Sequence, residues 1–174
     1  MSVRGRILLF TGDGKGKTTA ALGMALRARG HAMPVCVVQF VKSDASVGEV
    51  AAARQCGMEI IQTGLGFLPA ANEAHFESHR AAAQDGLRRA RKILADHRYA
   101  MVILDEVCLA VARGLLEEQQ VIETLRQAPP ETCLVLTGRN ATPGLLALAD
   151  TVTEMRCVKH ALQAGRTAEQ GVER

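Results

Sequence analysis

The chain has 174 residues, of which 21 are Lys or Arg, 18 are Asp or Glu and only 3% are aromatic, and its formal net charge is +3. Because the two signs are interleaved, this composition argues against nucleic acid or a membrane surface as a partner. No uncharged apolar run reaches the length of about eighteen residues that a membrane helix needs, so we expect one cytoplasmic domain over residues 1–174.

Short apolar runs alternate along the chain with longer segments of helical periodicity. The predicted strands are residues 7–11, 35–41, 58–63, 101–105, 133–137 and 151–155. The predicted helices are residues 18–29, which we expect to end in a left-handed cap at Gly30, and residues 47–55, 73–96 and 117–128. This alternation is typical of a three-layer α/β fold, in which helices cover both faces of a mostly parallel sheet. The site is then expected at the carboxyl ends of the strands.

Residues 11–19 read Thr-Gly-Asp-Gly-Lys-Gly-Lys-Thr-Thr and separate the first predicted strand from an Ala-rich helix. That context is typical of a phosphate-binding loop, and it indicates a P-loop (RecA-like) nucleotide-binding fold. Glycines let consecutive N–H groups turn towards phosphate oxygens, and the helix N-terminus adds partial positive charge. Lys17 can reach further phosphate oxygens, and the Thr18 hydroxyl can bind the magnesium that accompanies a nucleotide. The general pattern has Gly where this chain has Thr11.

Polar residues also follow two of the later strands. Asp105 and Glu106 end an apolar strand, where P-loop proteins need an acid to hold magnesium directly or through water. Successive side chains point in different directions, so we expect one acid to touch the metal and the other to orient it or a neighbouring loop. Arg139 follows the strand at 133–137 and can reach a phosphate, although a solvent-facing arginine fits equally well. The predicted nucleotide-binding residues are Gly12, Asp13, Gly14, Lys15, Gly16, Lys17, Thr18, Thr19 and Arg139.

Six strings occur in the order in which they are found in one known family. They are FTGDGKGKTTAA at 10–21, VVQFVK at 37–42, LDE at 104–106, TGR at 137–139, ADTVTEM at 149–155 and VKH at 158–160. With these strings the chain resembles the corrinoid adenosyltransferases of the CobA type. The resemblance implies that ATP gives its 5′-deoxyadenosyl group to the cobalt of a reduced corrinoid and that triphosphate leaves intact.

The resemblance also implies roles for particular residues. Lys17 and Glu106 would be catalytic, and magnesium, or manganese in its place, would be held by Thr18 and Glu106 with Asp105 beside them. Phe67 would contact the corrinoid, but Pro69 stands where the family commonly has a Trp, so we expect a less aromatic corrinoid surface. An electron-donating reductase and a homodimer are further implications of the family.

Two other functions use the same loop. A small-molecule kinase or ATPase would transfer or hydrolyse the terminal phosphate of the nucleotide. A nucleotide-binding regulator would retain the fold without any transfer activity.

Overall fold

The computed structural model of the chain describes residues 5–70 and 74–172. Its strands are β1 (Ile7–Thr11), β2 (Val35–Gln39), β3 (Glu59–Gln62), β4 (Met101–Asp105), β5 (Cys133–Thr137) and β6 (Thr151–Glu154). Its helices are α1 (Lys17–Gly30), α2 (Gly48–Gln55), α3 (Phe76–Ala95), α4 (Val107–Ala112), α5 (Glu118–Arg126) and α6 (Pro143–Leu148), followed by a short 3-10 helix at Ala161–Ala164. Within the described residues, no helix combines the length and the apolar character needed to cross a bilayer.

The six strands form one parallel sheet in the order β3-β2-β4-β5-β1-β6. Successive strand residues point to opposite faces, so neighbours such as Ile103 and Leu104 enter two different apolar clusters. Leu104 and Leu136 pack on the face covered by α3, α4 and α5, whereas Ile103 packs with Ala21 of α1 on the other. The predicted three-layer α/β fold with helices on both faces is confirmed.

The observed elements depart from the predicted ones mainly at their ends. Strands β4 and β5 have the predicted bounds, whereas β2 ends two residues early, at Gln39. The predicted start of the third helix lies outside the described residues, and α3 begins at Phe76. The cap expected at Gly30 was wrong, because Gly30 is the last residue of α1 and the left-handed conformation falls on Ala32, at φ 57°.

Two helices, α4 and α6, were not predicted. Each has six residues, fewer than two turns, so an amphipathic repeat cannot become visible in either.

The strand order brings the predicted site together. Strand β5 lies between β1, which leads into the phosphate loop at residues 12–18, and β4, which ends at Asp105. Because all three strands are parallel, their carboxyl ends place the phosphate loop, Thr137 and the acidic pair side by side. The fold therefore brings polar residues together at one edge of the sheet, although the phosphate loop and Thr137 are more than a hundred residues apart in the chain.

Candidate functional site

The phosphate loop is packed closely against the residues after β6. Gly12 and Gly16 have φ values of 94° and 109°, a region that residues with a side chain rarely adopt. A Cβ atom on Gly12 would lie 2.4 Å from the carbonyl oxygen of Met155, and the backbone N–H of Gly14 donates to that same oxygen at 2.7 Å. Only glycine fits at position 12, and the close contact fixes the course of the loop.

The ammonium group of Lys17 lies inside this loop. Its Nζ donates to the carbonyl oxygens of Gly12 and Gly14, each at 2.7 Å, and the residue is only 6% exposed. Burial lowers the pKa of Lys17, Arg139 acts in the same direction, and Glu106 opposes both. A buried cation in a glycine-rich loop can contact the oxygens of a phosphate bound there.

Asp105 is an acceptor for three side chains. It is 1% exposed, and its Oδ1 accepts hydrogen bonds from the hydroxyls of Thr18 and Thr137, each at 2.8 Å. Its Oδ2 accepts from Nε2 of Gln39 at 3.0 Å. Asp105 therefore orients its neighbours, and above all the hydroxyl of Thr18.

Glu106 has a different environment. Its backbone is left-handed, at φ 62°, and its N–H donates to the Thr137 hydroxyl at 2.8 Å. Its Oε2 is buried and has no hydrogen-bond partner among the residues that the structure describes. Burial raises the pKa of Glu106, the charge of Asp105 adds to the effect, and Lys17, Lys42 and Arg139 act against it. The two acids thus have the separate environments that their alternating directions predict.

Thr18 and Glu106 present oxygen atoms that could hold a magnesium ion. The Thr18 hydroxyl donates a hydrogen bond to Asp105, which leaves the lone pairs of its oxygen for a cation, and the buried Oε2 of Glu106 has no hydrogen-bond partner among the described residues. No group of three potential ligands of the His, Cys, Asp or Glu types occurs within the described ranges. Magnesium suits such a site, because it usually keeps several waters and takes only one or two carboxylates beside phosphate oxygens.

An open cleft of about 820 Å³ extends from the phosphate loop to an apolar rim. The predicted residues that line it are Gly14, Lys15, Gly16, Lys17, Thr18, Thr19, Glu106, Arg139 and Phe67. Gly12 forms the base of the loop beneath Lys17, Asp105 lies behind Thr18, and Asp13 is exposed on the loop. Arg139 is solvent-exposed, yet it lies near enough for its charge to act on Lys17 and Glu106.

Phe67 is 97% exposed on an anchored segment at the rim of the cleft. On one side of it the N–H of Gly66 donates to the carbonyl of Val41 at 2.8 Å, and on the other Nη2 of Arg113 donates to the carbonyl of Pro69 at 2.6 Å. An exposed phenyl ring on tethered backbone offers apolar surface that a large partner could contact.

Sequence reasoning assigned no role to several residues of the site. Gln39, Thr137 and Lys42 lie in the strings that carry the resemblance, and a Gln that ends an otherwise apolar strand was a usable signal. Lys42 Nζ binds Oε1 of Glu49 at 2.6 Å and lies 3.8 Å from Oδ2 of Asp105. Nothing in the local sequence pointed to Arg113.

The raised pKa of Glu106 predicts a pH-dependent cost to stability in the absence of ligands. The folded protein holds this proton more tightly than the unfolded chain, so stability should fall as pH rises above 4.5 and through the raised folded pKa. Glu106→Gln removes that loss, and we expect the variant to gain stability over the parent across this window. Urea unfolding at a series of pH values measures it, and parallel profiles for the two proteins would contradict it.

Together, the parallel sheet, the glycine-rich loop around Lys17 and the acids at the end of β4 define a P-loop nucleotide-binding protein. Comparison with known proteins narrows this class. Residues 3–174 match the model of a family described as ATP:corrinoid adenosyltransferase BtuR/CobO/CobP, and the chain belongs to that family.

Curated relatives extend over nearly the whole chain. The corrinoid adenosyltransferase of Pseudomonas aeruginosa is 42% identical over 172 residues, covering 98% of this chain and 84% of the relative. Corrinoid adenosyltransferase CobA of Salmonella typhimurium is 41% identical, with 98% and 86% covered. These findings confirm the family and enzyme class predicted from the sequence.

A solved structure supports the fold alone. The flagellar accessory protein FlaH from Methanocaldococcus jannaschii superposes with a TM-score of 0.56, at 11% identity, over 87% of this chain and 71% of that one. At this identity the likeness concerns only the arrangement of helices and strands.

Proposed function

We propose that the cleft binds ATP and a reduced corrinoid together, transfers the 5′-deoxyadenosyl group of ATP to cobalt and releases triphosphate. The observation that carries the proposal is the continuity of the cleft. A polyanion-binding loop around Lys17 forms one end and the exposed ring of Phe67 forms the rim of the other. Such a cleft suits one charged and one large, mainly apolar substrate.

The reaction requires the protein to position the two substrates and to stabilise negative charge on the triphosphate. A cobalt(I) corrinoid is the nucleophile: its electron pair forms the bond to C5′, the C5′–O bond breaks, and triphosphate leaves with that bonding pair. The protein therefore has to hold C5′ in line with cobalt and to stabilise the departing polyanion. Lys17 fits the second task, and Arg139 at the cleft adds positive charge.

Thr18 and Glu106 would hold a magnesium or manganese ion, with Asp105 behind Thr18. The ion would neutralise part of the triphosphate charge. Support comes from the hydrogen bond that the Thr18 hydroxyl donates to Asp105, and from Oε2 of Glu106, which has no hydrogen-bond partner among the described residues.

The proposal also includes an electron donor, an oligomeric state and a cellular location. A separate reductase would supply the electron that makes cobalt(I), and the chain would act as a homodimer, both on the strength of the family. A cytoplasmic location is supported by the cysteines, which are free thiols at all five positions.

The role of Phe67 can be tested by truncating its ring. Phe67→Ala should raise the KM for the corrinoid about tenfold, since an aromatic contact can contribute about 1.4 kcal/mol, which corresponds to a factor of ten. ATP affinity should stay at the parent value, because Phe67 lies at the rim and not in the phosphate loop. Steady-state kinetics with each substrate varied separately measures both quantities.

Leu26→Ala provides a matched control, since Leu26 is another exposed apolar side chain, on α1, that does not line the cleft. An unchanged corrinoid KM in Phe67→Ala would remove Phe67 from the corrinoid site.

A further inference from the structure

Gln39 is a fully buried polar side chain at the end of a central strand. It is 0% exposed, and β2, which it ends, is flanked by β3 and β4. A buried amide costs free energy unless its donor and its acceptor are both satisfied. Its Nε2 donates to Oδ2 of Asp105 at 3.0 Å, and its Oε1 accepts from Nε2 of Gln62 at 3.0 Å. Both the donor and the acceptor of this amide are therefore hydrogen-bonded.

These bonds belong to a longer chain of contacts. Gln62 also donates to the backbone carbonyl of Asp44, in the loop that follows β2, at 3.1 Å. At the other end, Asp105 accepts a hydrogen bond from the Thr18 hydroxyl. A continuous series of hydrogen bonds thus runs from the loop at Asp44 through Gln62, Gln39 and Asp105 to the first turn of α1.

Gln39 holds the second oxygen of the Asp105 carboxylate. The hydroxyl donors from Thr18 and Thr137 both reach Oδ1, so they alone leave the carboxylate free to turn about that oxygen. Lys42 Nζ lies 3.8 Å from Oδ2, beyond hydrogen-bond distance, and is paired with Glu49. Among the side-chain contacts described for Oδ2, the amide of Gln39 is the hydrogen bond that holds it.

We propose that Gln39 is a positioning residue for the metal–nucleotide complex. By fixing Asp105 it keeps the Thr18 proton directed at Oδ1 and the Thr18 lone pairs directed away from Asp105, where a cation can use them. The inference rests on the proposed role of Thr18 as a metal ligand. It is independent of any corrinoid.

The test compares ATP affinity with and without metal. Calorimetry gives the affinity for ATP in magnesium and in EDTA, and the ratio of the two measures the metal's contribution. In Gln39→Met, which keeps the length of the side chain and removes the donor, this ratio should fall about tenfold, as for other residues that support a metal ligand. The affinity in EDTA should stay at the parent value, because the contacts of Lys17 in the phosphate loop are untouched.

Gln119→Met is the matched control, since Gln119 is exposed on α5 and donates to Glu123 one turn further along the same helix. Gln62→Leu, at a part-buried position, removes the donor to Oε1 of Gln39 and should lower the ratio in the same direction by a smaller factor. If Gln39→Met does not fold, the affinity ratio of Gln62→Leu is the measurement that tests the proposal.

An unchanged ratio in folded Gln39→Met, or in Gln62→Leu where the first variant is unfolded, would overturn the proposal. Equal losses of affinity in magnesium and EDTA would also overturn it, because they indicate a damaged loop. The assay contains no corrinoid, so a chain that fails to transfer adenosyl groups but shows the expected ratios would refute the proposed function and leave this inference standing.

Discussion

Lys17→Ala should abolish ATP binding and adenosyl transfer together. The ammonium group is held inside the phosphate loop by two carbonyl oxygens, 2.7 Å from each, where a bound phosphate would meet it. Losing one charged donor to a departing anion lowers turnover by about a hundredfold or more, and here the same donor also contributes to ground-state binding. We therefore expect both the ATP affinity and kcat to fall.

Calorimetry and single-turnover transfer measure the two effects, and circular dichroism checks that the loop variant is folded. Lys92→Ala is the control, because it removes an equal charge from the exposed side of α3. Turnover at the parent rate in Lys17→Ala would show that the loop is not the nucleotide site.

Glu106→Gln should weaken the binding of the magnesium ion that the reaction is proposed to use. The substitution keeps the volume of the side chain at position 106, where the backbone is left-handed, while it replaces a carboxylate by a neutral amide. Oε2 of Glu106 has no hydrogen-bond partner among the described residues, and the loss of a carboxylate that contacts the metal should cost at least the roughly tenfold to hundredfold in metal affinity that is lost with an outer-shell partner. The apparent magnesium constant from turnover should rise accordingly, with the fold intact.

The matched control for this variant is Glu123→Gln, on the exposed side of α5. A magnesium requirement equal to that of the parent in Glu106→Gln would exclude Glu106 as a ligand.

The sequence predicts the fold best where local chemistry marks both ends of an element. Strands β4 and β5 are apolar runs that stop at Asp105 and Thr137, and their bounds are as predicted. The short helices α4 and α6 lack enough residues for a periodic pattern, so only the three-dimensional structure identifies them. The left-handed residue expected at Gly30 is Ala32 instead, because α1 continues through Gly30.

In the candidate site, too, some residues could be predicted from the sequence and some contacts could not. Lys17, Thr18 and Glu106 could be predicted because a motif and the carboxyl ends of parallel strands place them together. The contact between Gln39 and Asp105 depends on β2 lying beside β4, and no local pattern specifies that order. Likewise, the hydrogen bond from Arg113 to Pro69 joins residues 44 positions apart in the chain. It gives Pro69 a part in anchoring the segment that presents Phe67.

The most direct test of the account is the identity of the products. Anaerobic incubation with ATP, magnesium and chemically reduced cobalamin should yield a light-sensitive alkyl corrinoid and one triphosphate for each corrinoid converted. Phosphorus NMR and the visible spectrum before and after illumination report on the two products. ADP and phosphate with no change in the corrinoid would contradict the account, because they would mean that the phosphate loop serves transfer or hydrolysis of the terminal phosphate.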